Sequence, residues 1–206
     1  MTRLANAEDD IIAALEALEA ELGAQNSEMA HVAEAGKPDR PSGEPTLDNL
    51  AAVMGNMLPE NAIVVDESVT TGRGFFPATA GAARHDWLNN RGGSIGFGMP
   101  VALGAAVAAP DRKVVLLEGD GSGMYTIQSL WSMAREQLDV TTIVFSNRSY
   151  KILRGELSNV GVQNPGPRAI DMLTLDRPDL GWVDMAKGMG VDGEQVSDCE
   201  SLMRAM

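Results

Sequence analysis

Apolar and polar positions alternate most regularly in the middle of the chain. Residues 114–117 form a short apolar run, residues 127–138 carry apolar side chains at helical spacing, and residues 140–145 form a second apolar run. Strand, turn, helix and strand in this order predict a right-handed βαβ unit with parallel strands. The predicted inward face of the helix consists of Ile127, Leu130, Trp131, Ala134 and Leu138.

The flanking sequence continues this alternation of short apolar runs and helical patterns. Strands that alternate with helices along the chain predict the α/β fold class. Residues 159–179 are rich in proline and are predicted to be a lid or a crossing loop. A further buried strand is predicted at residues 61–65, and helices are predicted at 46–57, 100–108, 179–189 and 199–206. Leu153 and Leu157 favour another helix.

The first 45 residues differ in pattern from the rest of the chain. We expect a helical extension at residues 1–35, a linker rich in Pro and Gly at residues 36–45, and a compact domain at residues 46–206. The polar face of the extension is acidic, which favours docking to protein over anchoring to a membrane. Its apolar stripe consists of Ile11, Ile12, Leu15, Leu18 and Leu22.

Composition narrows the possible functions. The net charge of −13 over 206 residues argues against binding to nucleic acid or to an anionic membrane. Cys199 is the single cysteine, which leaves no internal disulfide and is typical of a reducing compartment. No apolar run has the length needed to span a bilayer. These features predict a soluble, cytoplasmic protein.

Polar residues follow both central apolar runs. Residues 118–123 read Glu-Gly-Asp-Gly-Ser-Gly, and residues 146–149 read Ser-Asn-Arg-Ser. Both clusters should lie at the carboxyl ends of neighbouring parallel strands, where open α/β sheets bind ligands. Asp120 and Asn147 offer the oxygen ligands that Mg²⁺ takes alongside phosphate and water. The pattern predicts a clamp for Mg²⁺ and a diphosphate, and the alternative is ordinary turn chemistry without a ligand.

The spacing of these residues resembles the thiamine diphosphate (ThDP) signature, in which Gly-Asp-Gly is followed by Asn after somewhat under thirty residues. Here Asn147 follows Asp120 by 27 positions. The resemblance implies that Mg²⁺ is bound by Asp120, Asn147 and the main-chain carbonyl of Ser149. It also places Ser122, beside Gly119 and Gly121, on the diphosphate. Arg148 is a departure, because many relatives carry a second Asn at that position.

A second segment, Gly-Gly-Ser-Ile-Gly-Phe-Gly-Met-Pro at residues 92–100, is also similar to this family. By resemblance, Ile95 is the apolar wedge that bends the cofactor, and the main-chain carbonyl of Gly93 accepts its pyrimidine amine. Read without the resemblance, the glycines could form a dinucleotide-binding loop, although no strand followed by G-x-G-x-x-G supports that. Thr70 is expected along the diphosphate, and Tyr150 and Ile152 are expected to line the pocket.

The resemblance covers residues 46–206 and is to the diphosphate-binding domain of acetolactate synthase large subunits and benzoylformate decarboxylases. It implies a three-layer αβα fold around a central, mostly parallel sheet. It also implies that the domain is truncated at its C-terminal end, where relatives usually have a further strand. The family's activating glutamate belongs to a pyrimidine-binding domain that this chain lacks. Glu67 and Glu118 are expected beside the diphosphate instead, and His85 has no assigned role.

The function implied is ThDP- and Mg²⁺-dependent decarboxylation or carboligation of a 2-oxo acid, as in acetolactate synthase. The chain would act in a homo-oligomer or with a separate pyrimidine-binding-domain chain that supplies the missing glutamate. One alternative is a benzoylformate decarboxylase-like enzyme, and another is a ThDP-binding fragment without turnover of its own. A nucleotide-dependent enzyme ranks last, because no Gly-x-x-x-x-Gly-Lys-Ser/Thr sequence is present.

Overall fold

The computed structural model describes residues 3–28 and 33–206, so His31 lies outside the described residues. The chain divides into two compact units, residues 1–34 and residues 35–206. In the first unit, α1 spans Ile11–Glu21, within the helical extension predicted at residues 1–35. It begins at Asp10, whose side chain accepts the N–H groups of Ile12 and Ala13. No residue of α1 is buried.

The second unit alternates strands and helices, as the sequence pattern predicts. A one-turn 3₁₀ helix, Gly72–Gly74, precedes α3. The elements are α2 (Leu47–Met57), β1 (Ala62–Glu67), α3 (Phe75–Thr79), β2 (His85–Asn89), α4 (Gly98–Ala108), β3 (Val114–Gly119), α5 (Asp120–Gly123), α6 (Ser129–Arg135), β4 (Val140–Phe145), α7 (Lys151–Asn159), α8 (Pro167–Met172), α9 (Trp182–Gly188) and α10 (Cys199–Ala205).

The four strands form one parallel sheet in the order β2-β1-β3-β4. Ile63 of β1 pairs with Val114 of β3, and Val114 pairs with Val140 of β4. Because all strands run in the same direction, their carboxyl ends lie along one edge of the sheet. The predicted α/β class with a parallel sheet is therefore confirmed. β2, a short strand at the edge of the sheet, was not predicted from the sequence.

Alternate residues of the two central strands fill two separate cores. Val64 and Leu117 face a cluster built with α2, α3 and α10. Val65 and Leu116 face the opposite cluster, built with α4 and α6. Successive side chains of a strand point to opposite faces, so a strand buried on both faces is apolar throughout. The sheet thus lies between two helical layers, which confirms the predicted three-layer αβα architecture.

The predicted inward face of the helix after β3 was partly wrong. Leu130 and Met133 are buried, whereas Trp131 is 54% exposed. Residues 120–128 form α5 and a series of turns, so the continuous helix begins only at Ser129. One residue turns about 100° around a helix, and this carries Trp131 away from the side that Leu130 faces. Its ring instead lies 5.6 Å below the guanidinium carbon of Arg135.

Two other segments differ in detail from the sequence-based expectation. Residues 159–179 contain the short helix α8. The predicted linker, residues 36–45, packs against α2 and α10: the Asn56 side chain donates to the carbonyl of Pro38 at 3.0 Å, and the Cys199 N–H donates to the carbonyl of Gly43 at 2.9 Å. These contacts place residues 36–45 within the second unit.

Within the described residues, β4 pairs with β3 alone. Its other edge lines a groove of about 1380 Å³, together with parts of α6, α9 and α10. Across residues 3–28 and 33–206, no helix combines the length and the apolar character that crossing a membrane requires.

Candidate functional site

The loops that follow the four strands meet at the carboxyl edge of the sheet. Each predicted site residue lies in one of these loops or beside it. Thr70 follows β1, Gly93 and Ile95 follow β2, Gly119 to Ser122 end β3 and form α5, and Asn147, Ser149, Tyr150 and Ile152 follow β4. The structure therefore brings the sequence-predicted residues to one side of the domain. Their roles in binding stay predictions.

Asp120 lies at the centre of this edge. It is the first residue of α5, and 2% of its surface is exposed. Its Oδ1 accepts the N–H of Gly121 at 2.9 Å, and its Oδ2 accepts the N–H of Arg148 at 2.6 Å. Burial raises the pKa of Asp120, while these two N–H groups act in the opposite direction. Each carboxylate oxygen keeps a lone pair that could bind a cation.

The loop that meets Asp120 is shaped by Arg148, which has a left-handed backbone with φ of 55°. Its guanidinium pairs with the carboxylate of Asp179 at 3.2 Å, while its N–H faces Asp120. On either side, the Asn147 Oδ1 accepts the N–H of Ser149 at 2.9 Å, and the Ser149 carbonyl accepts the N–H of Lys151 at 2.8 Å. Both oxygens retain a free lone pair, so the set of donors fits Mg²⁺.

The glycine turn of α5 is closely covered. A Cβ atom added to Gly121 would lie 2.7 Å from Cε1 of Tyr150 and 3.6 Å from a methyl group of Leu175. Only glycine lets the Tyr150 ring pack at this distance from the backbone beside Asp120. The next residue, Ser122, is 5% exposed. Tyr150 therefore forms one wall of the site, and Leu175 is a contact that the sequence analysis missed.

The loop after β2 is open on its outer side. Gly92 and Gly93 have φ of 69° and 70°, and an added Cβ atom at either glycine would meet no atom within 4 Å. Ile95 is 47% exposed although it is a branched apolar residue. The loop thus presents an apolar side chain at the edge where the other candidate residues lie.

Two buried glutamates lie beneath this loop, and the sequence analysis did not foresee their contacts. Glu67 is 2% exposed and accepts the N–H groups of Gly96 and Gly98 at 2.6 and 2.5 Å. Burial raises its pKa, and the same N–H groups oppose the shift. A Cβ atom added to Gly98 would lie 2.5 Å from Oε2 of Glu118 and 2.9 Å from Oε2 of Glu67, so the two carboxyl groups are neighbours.

Glu118 is fully buried within β3, and neither of its carboxyl oxygens has a hydrogen-bond partner among the described residues. Burial, followed by the negative charge of Glu67, raises the pKa of Glu118 to about 9. The sequence places both glutamates at strand ends: Glu118 directly follows the apolar run at residues 114–117, and Asp66 separates Glu67 from the run at residues 62–65. Their burial could not be predicted from this position, because glutamate is rarely fully buried.

Two further residues, His85 and Val69, have notable positions. His85 begins β2 and pairs with Ala62 at the start of β1, so it lies at the amino edge of the sheet, away from the candidate site. Its Nδ1 lies 2.7 Å from the carbonyl of Ala83 and its ring 5.9 Å from that of Trp87, which indicates a packing role. Beside Thr70, Val69 has φ of 51°, a strained conformation for a β-branched residue.

Comparison with known proteins agrees with this geometry. The family model described as "Thiamine pyrophosphate enzyme, C-terminal TPP binding domain" matches residues 74–206. The "Putative acetolactate synthase large subunit IlvX" of Mycobacterium tuberculosis is 54% identical over 86% of this chain and 35% of its own length. A benzoylformate decarboxylase of Pseudomonas aeruginosa is 33% identical over 85% of this chain and 31% of its own length.

Solved structures give the same result. The thiamine diphosphate-dependent 4-hydroxybenzoylformate decarboxylase of Rhodococcus jostii superposes with a TM-score of 0.73 and 28% identity, over 93% of this chain and 35% of its own. A "putative thiamin diphosphate-dependent enzyme" from Mycobacterium smegmatis superposes with a TM-score of 0.65 and 26% identity, over 86% of this chain and 32% of its own. The chain thus spans about a third of the length of the relatives it matches.

Proposed function

The chain belongs to the thiamine pyrophosphate enzymes, as a match to their C-terminal cofactor-binding domain, and from this premise we propose that it holds Mg²⁺ and the diphosphate of ThDP in an enzyme that acts on 2-oxo acids. The observation that carries the proposal is the carboxylate of Asp120, which is buried and lies against the loop of residues 147–149. The carboxyl edges of β3 and β4 place these groups together.

The proposed ligands of Mg²⁺ are Asp120, Asn147 and the main-chain carbonyl of Ser149. The carbonyl and side-chain oxygens are hard donors, and each has a lone pair that the contacts within the protein leave free. Ser122 in α5 would contact the diphosphate, and Thr70 in the turn after β1 would lie along it. Bound ThDP supplies the reactive carbon and the electron sink for decarboxylation of a 2-oxo acid.

The remaining proposed contacts shape the pocket. Tyr150 packs on Gly121, which fixes the wall beside the diphosphate, and Ile152 continues that wall on α7. On the opposite side, Ile95 would support the bent cofactor, and the carbonyl of Gly93 would accept a hydrogen bond from its pyrimidine amine. These groups would bind and orient the cofactor and exclude water from the pocket. None of them needs to transfer a proton.

The activating glutamate of the family is proposed to come from another chain or domain. Glu67 already accepts two N–H groups, and Glu118 is sealed inside β3, so neither is free to reach a cofactor ring. The chain spans about a third of its relatives, which supports a pyrimidine-binding domain elsewhere. We therefore propose function in a homo-oligomer or in a complex with such a chain, and we keep the cytoplasm as its proposed location.

Acetolactate synthase-like chemistry is the proposed reaction, supported by the 54% identity to the IlvX protein. A benzoylformate decarboxylase-like reaction is the second candidate, supported by the 28% identity and TM-score of 0.73 to a 4-hydroxybenzoylformate decarboxylase. A ThDP-binding fragment without turnover is the third. Assays with pyruvate and with benzoylformate, each with and without a pyrimidine-binding-domain chain, separate the three: only the fragment shows no turnover in any mixture.

Calorimetric titration with ThDP, with and without Mg²⁺, tests the binding site directly. We expect binding that depends on Mg²⁺ and falls by at least about a hundredfold in Asp120→Ala, because a charged ligand is removed from a buried site. Asp139→Ala is the matched control: it removes the same charge at the amino end of β4, where Asp139 pairs with Lys113. Equal affinity in the parent and in Asp120→Ala would overturn the placement of the metal.

A further inference from the structure

Ile95 is exposed, yet the residues on both sides of it form hydrogen bonds with three side chains, one from the same loop and two from other loops. Ser94 and Gly96 flank Ile95, and each uses its N–H and its carbonyl in a hydrogen bond to a side chain. Ser94 is exposed, so water could satisfy its backbone, and its contacts are not needed for the loop to fold. Gly96 is buried, so its N–H and carbonyl need partners within the protein, and these partners come from two other loops. We call residues 90–98 the Ile95 loop.

The first of these contacts is made by the side chain of Asn90, which directly follows β2. Its Oδ1 accepts the N–H of Ser94 at 2.9 Å, and its Nδ2 donates to the carbonyl of Ser94 at 3.0 Å. The side chain of Asn90 thus forms hydrogen bonds with both the N–H and the carbonyl of Ser94, the residue before Ile95. Gly92 and Gly93 supply the left-handed turns that bring Ser94 back over Asn90.

The second and third contacts are hydrogen bonds to the backbone of Gly96. Its N–H donates to Oε1 of Glu67 at 2.6 Å, and its carbonyl accepts the hydroxyl of Thr126 at 2.8 Å. Gly96 has φ of 83°, and an added Cβ atom would lie 2.6 Å from the Cβ of Tyr125, so no other residue fits there. Glu67 ends β1 and Thr126 follows the Asp120 turn, so the Ile95 loop is fixed to two other loops of the site.

We infer that Asn90, Glu67 and Thr126 are positioning residues that hold Ile95 rigidly outward, so that the cofactor is bent by a wedge already in place before it binds. This inference rests on the proposed function, and it concerns residues that do not themselves touch the cofactor. Pre-organisation reduces the free energy that ordering the loop would cost on binding. These hydrogen bonds therefore contribute to the affinity for the ring-bearing part of ThDP and not to the affinity for its diphosphate.

Two ligands separate these contributions. Each is titrated with Mg²⁺ into the full chain by calorimetry: ThDP, which carries the rings, and inorganic pyrophosphate, which does not. We expect Thr126→Val, which removes one hydrogen bond, to weaken ThDP binding about three- to tenfold. Asn90→Ala removes two hydrogen bonds and should weaken ThDP binding at least as much. Both variants should bind pyrophosphate within about twofold of the parent. Thr126→Ser keeps the hydroxyl and should bind both ligands as the parent does.

The free protein provides a second measurement that needs no ligand. Amide hydrogen exchange of residues 93–98 should be faster in Thr126→Val and Asn90→Ala than in Thr126→Ser, with unchanged exchange in the core strands. Unchanged exchange in both variants would overturn the inference, as would equal weakening of both ligands or no weakening of either. A parent chain that binds neither ThDP nor pyrophosphate would instead overturn the proposed function, and this inference with it.

Discussion

At the scale of single residues, Glu118 has a buried carboxyl group beside that of Glu67. Neither of its oxygens has a hydrogen-bond partner in the described part of the chain. Since its pKa is raised to about 9, the folded protein keeps a proton that the unfolded chain releases above about pH 4.5. Its contribution to the free energy of unfolding is therefore fully present at low pH and is lost as the pH rises toward 9.

Glu118→Gln should remove that dependence. The melting temperature of the cofactor-free parent should fall between pH 5 and pH 8.5 by more than that of the variant, because the amide has no proton to release. Each kcal/mol of penalty corresponds to roughly 2–4 °C for a chain of this size. Thermal unfolding followed by circular dichroism measures both curves, and parallel curves would contradict the buried, protonated state. Glu60→Gln, at an exposed glutamate, serves as the control.

Gly121 supports a second prediction at this scale. Gly121→Ala should destabilise the fold by about 1–3 kcal/mol, since its methyl group would lie 2.7 Å from the Tyr150 ring and force a shift next to Asp120. Gly104→Ala is the matched control, because it adds a methyl group in open space on α4 and should stabilise by about 0.5–1 kcal/mol. Urea unfolding of both variants measures the difference, and equal effects would contradict the packing of Tyr150.

At the scale of elements, the apolar pattern of α6 predicts a helix but does not determine which of its apolar side chains are buried. Leu130 and Trp131 are adjacent and both apolar, yet one is buried and the other lies on the surface. Leu130→Ala should cost about 2–4 kcal/mol through the cavity it leaves, whereas Trp131→Ala should cost less than about 1 kcal/mol, chiefly through the lost contact with Arg135. Denaturant unfolding checks the ranking, and a reversed order would mean that the rotation of α6 is wrong.

The inward face of α6 was predicted incorrectly because the start of this helix was unknown. A period of 3.6 residues tells which side chains share a face only once the first residue of the helix is known. Four residues of the preceding stretch form α5 and the next five form turns, and nothing in the apolar spacing reveals this. β2 was missed for a related reason: as an edge strand with a mostly exposed sequence of His-Asp-Trp-Leu-Asn, it lacks the apolar run that reveals β1 and β3.

At the scale of the whole molecule, the strands, the layers and the edge with the candidate site could be predicted, because each depends on the apolar pattern of single elements and on their order along the chain. The apolar run before Asp120 and the polar cluster around Asn147 are of this kind. The hydrogen bonds from Glu67 and Thr126 to Gly96 span 29 and 30 residues and depend on how three loops meet. No periodicity encodes such contacts, so they appear only when the fold is assembled.

The free edge of β4 has a consequence for handling this protein. Residues 140–145 read Val-Thr-Thr-Ile-Val-Phe: six residues with high strand propensity, no charge and no proline. Within the described residues one edge of β4 is unpaired, and such a hexamer is then a template for aggregation, since it lacks the charged or proline residues with which proteins usually protect an edge. Purified samples of this chain should accordingly be kept dilute.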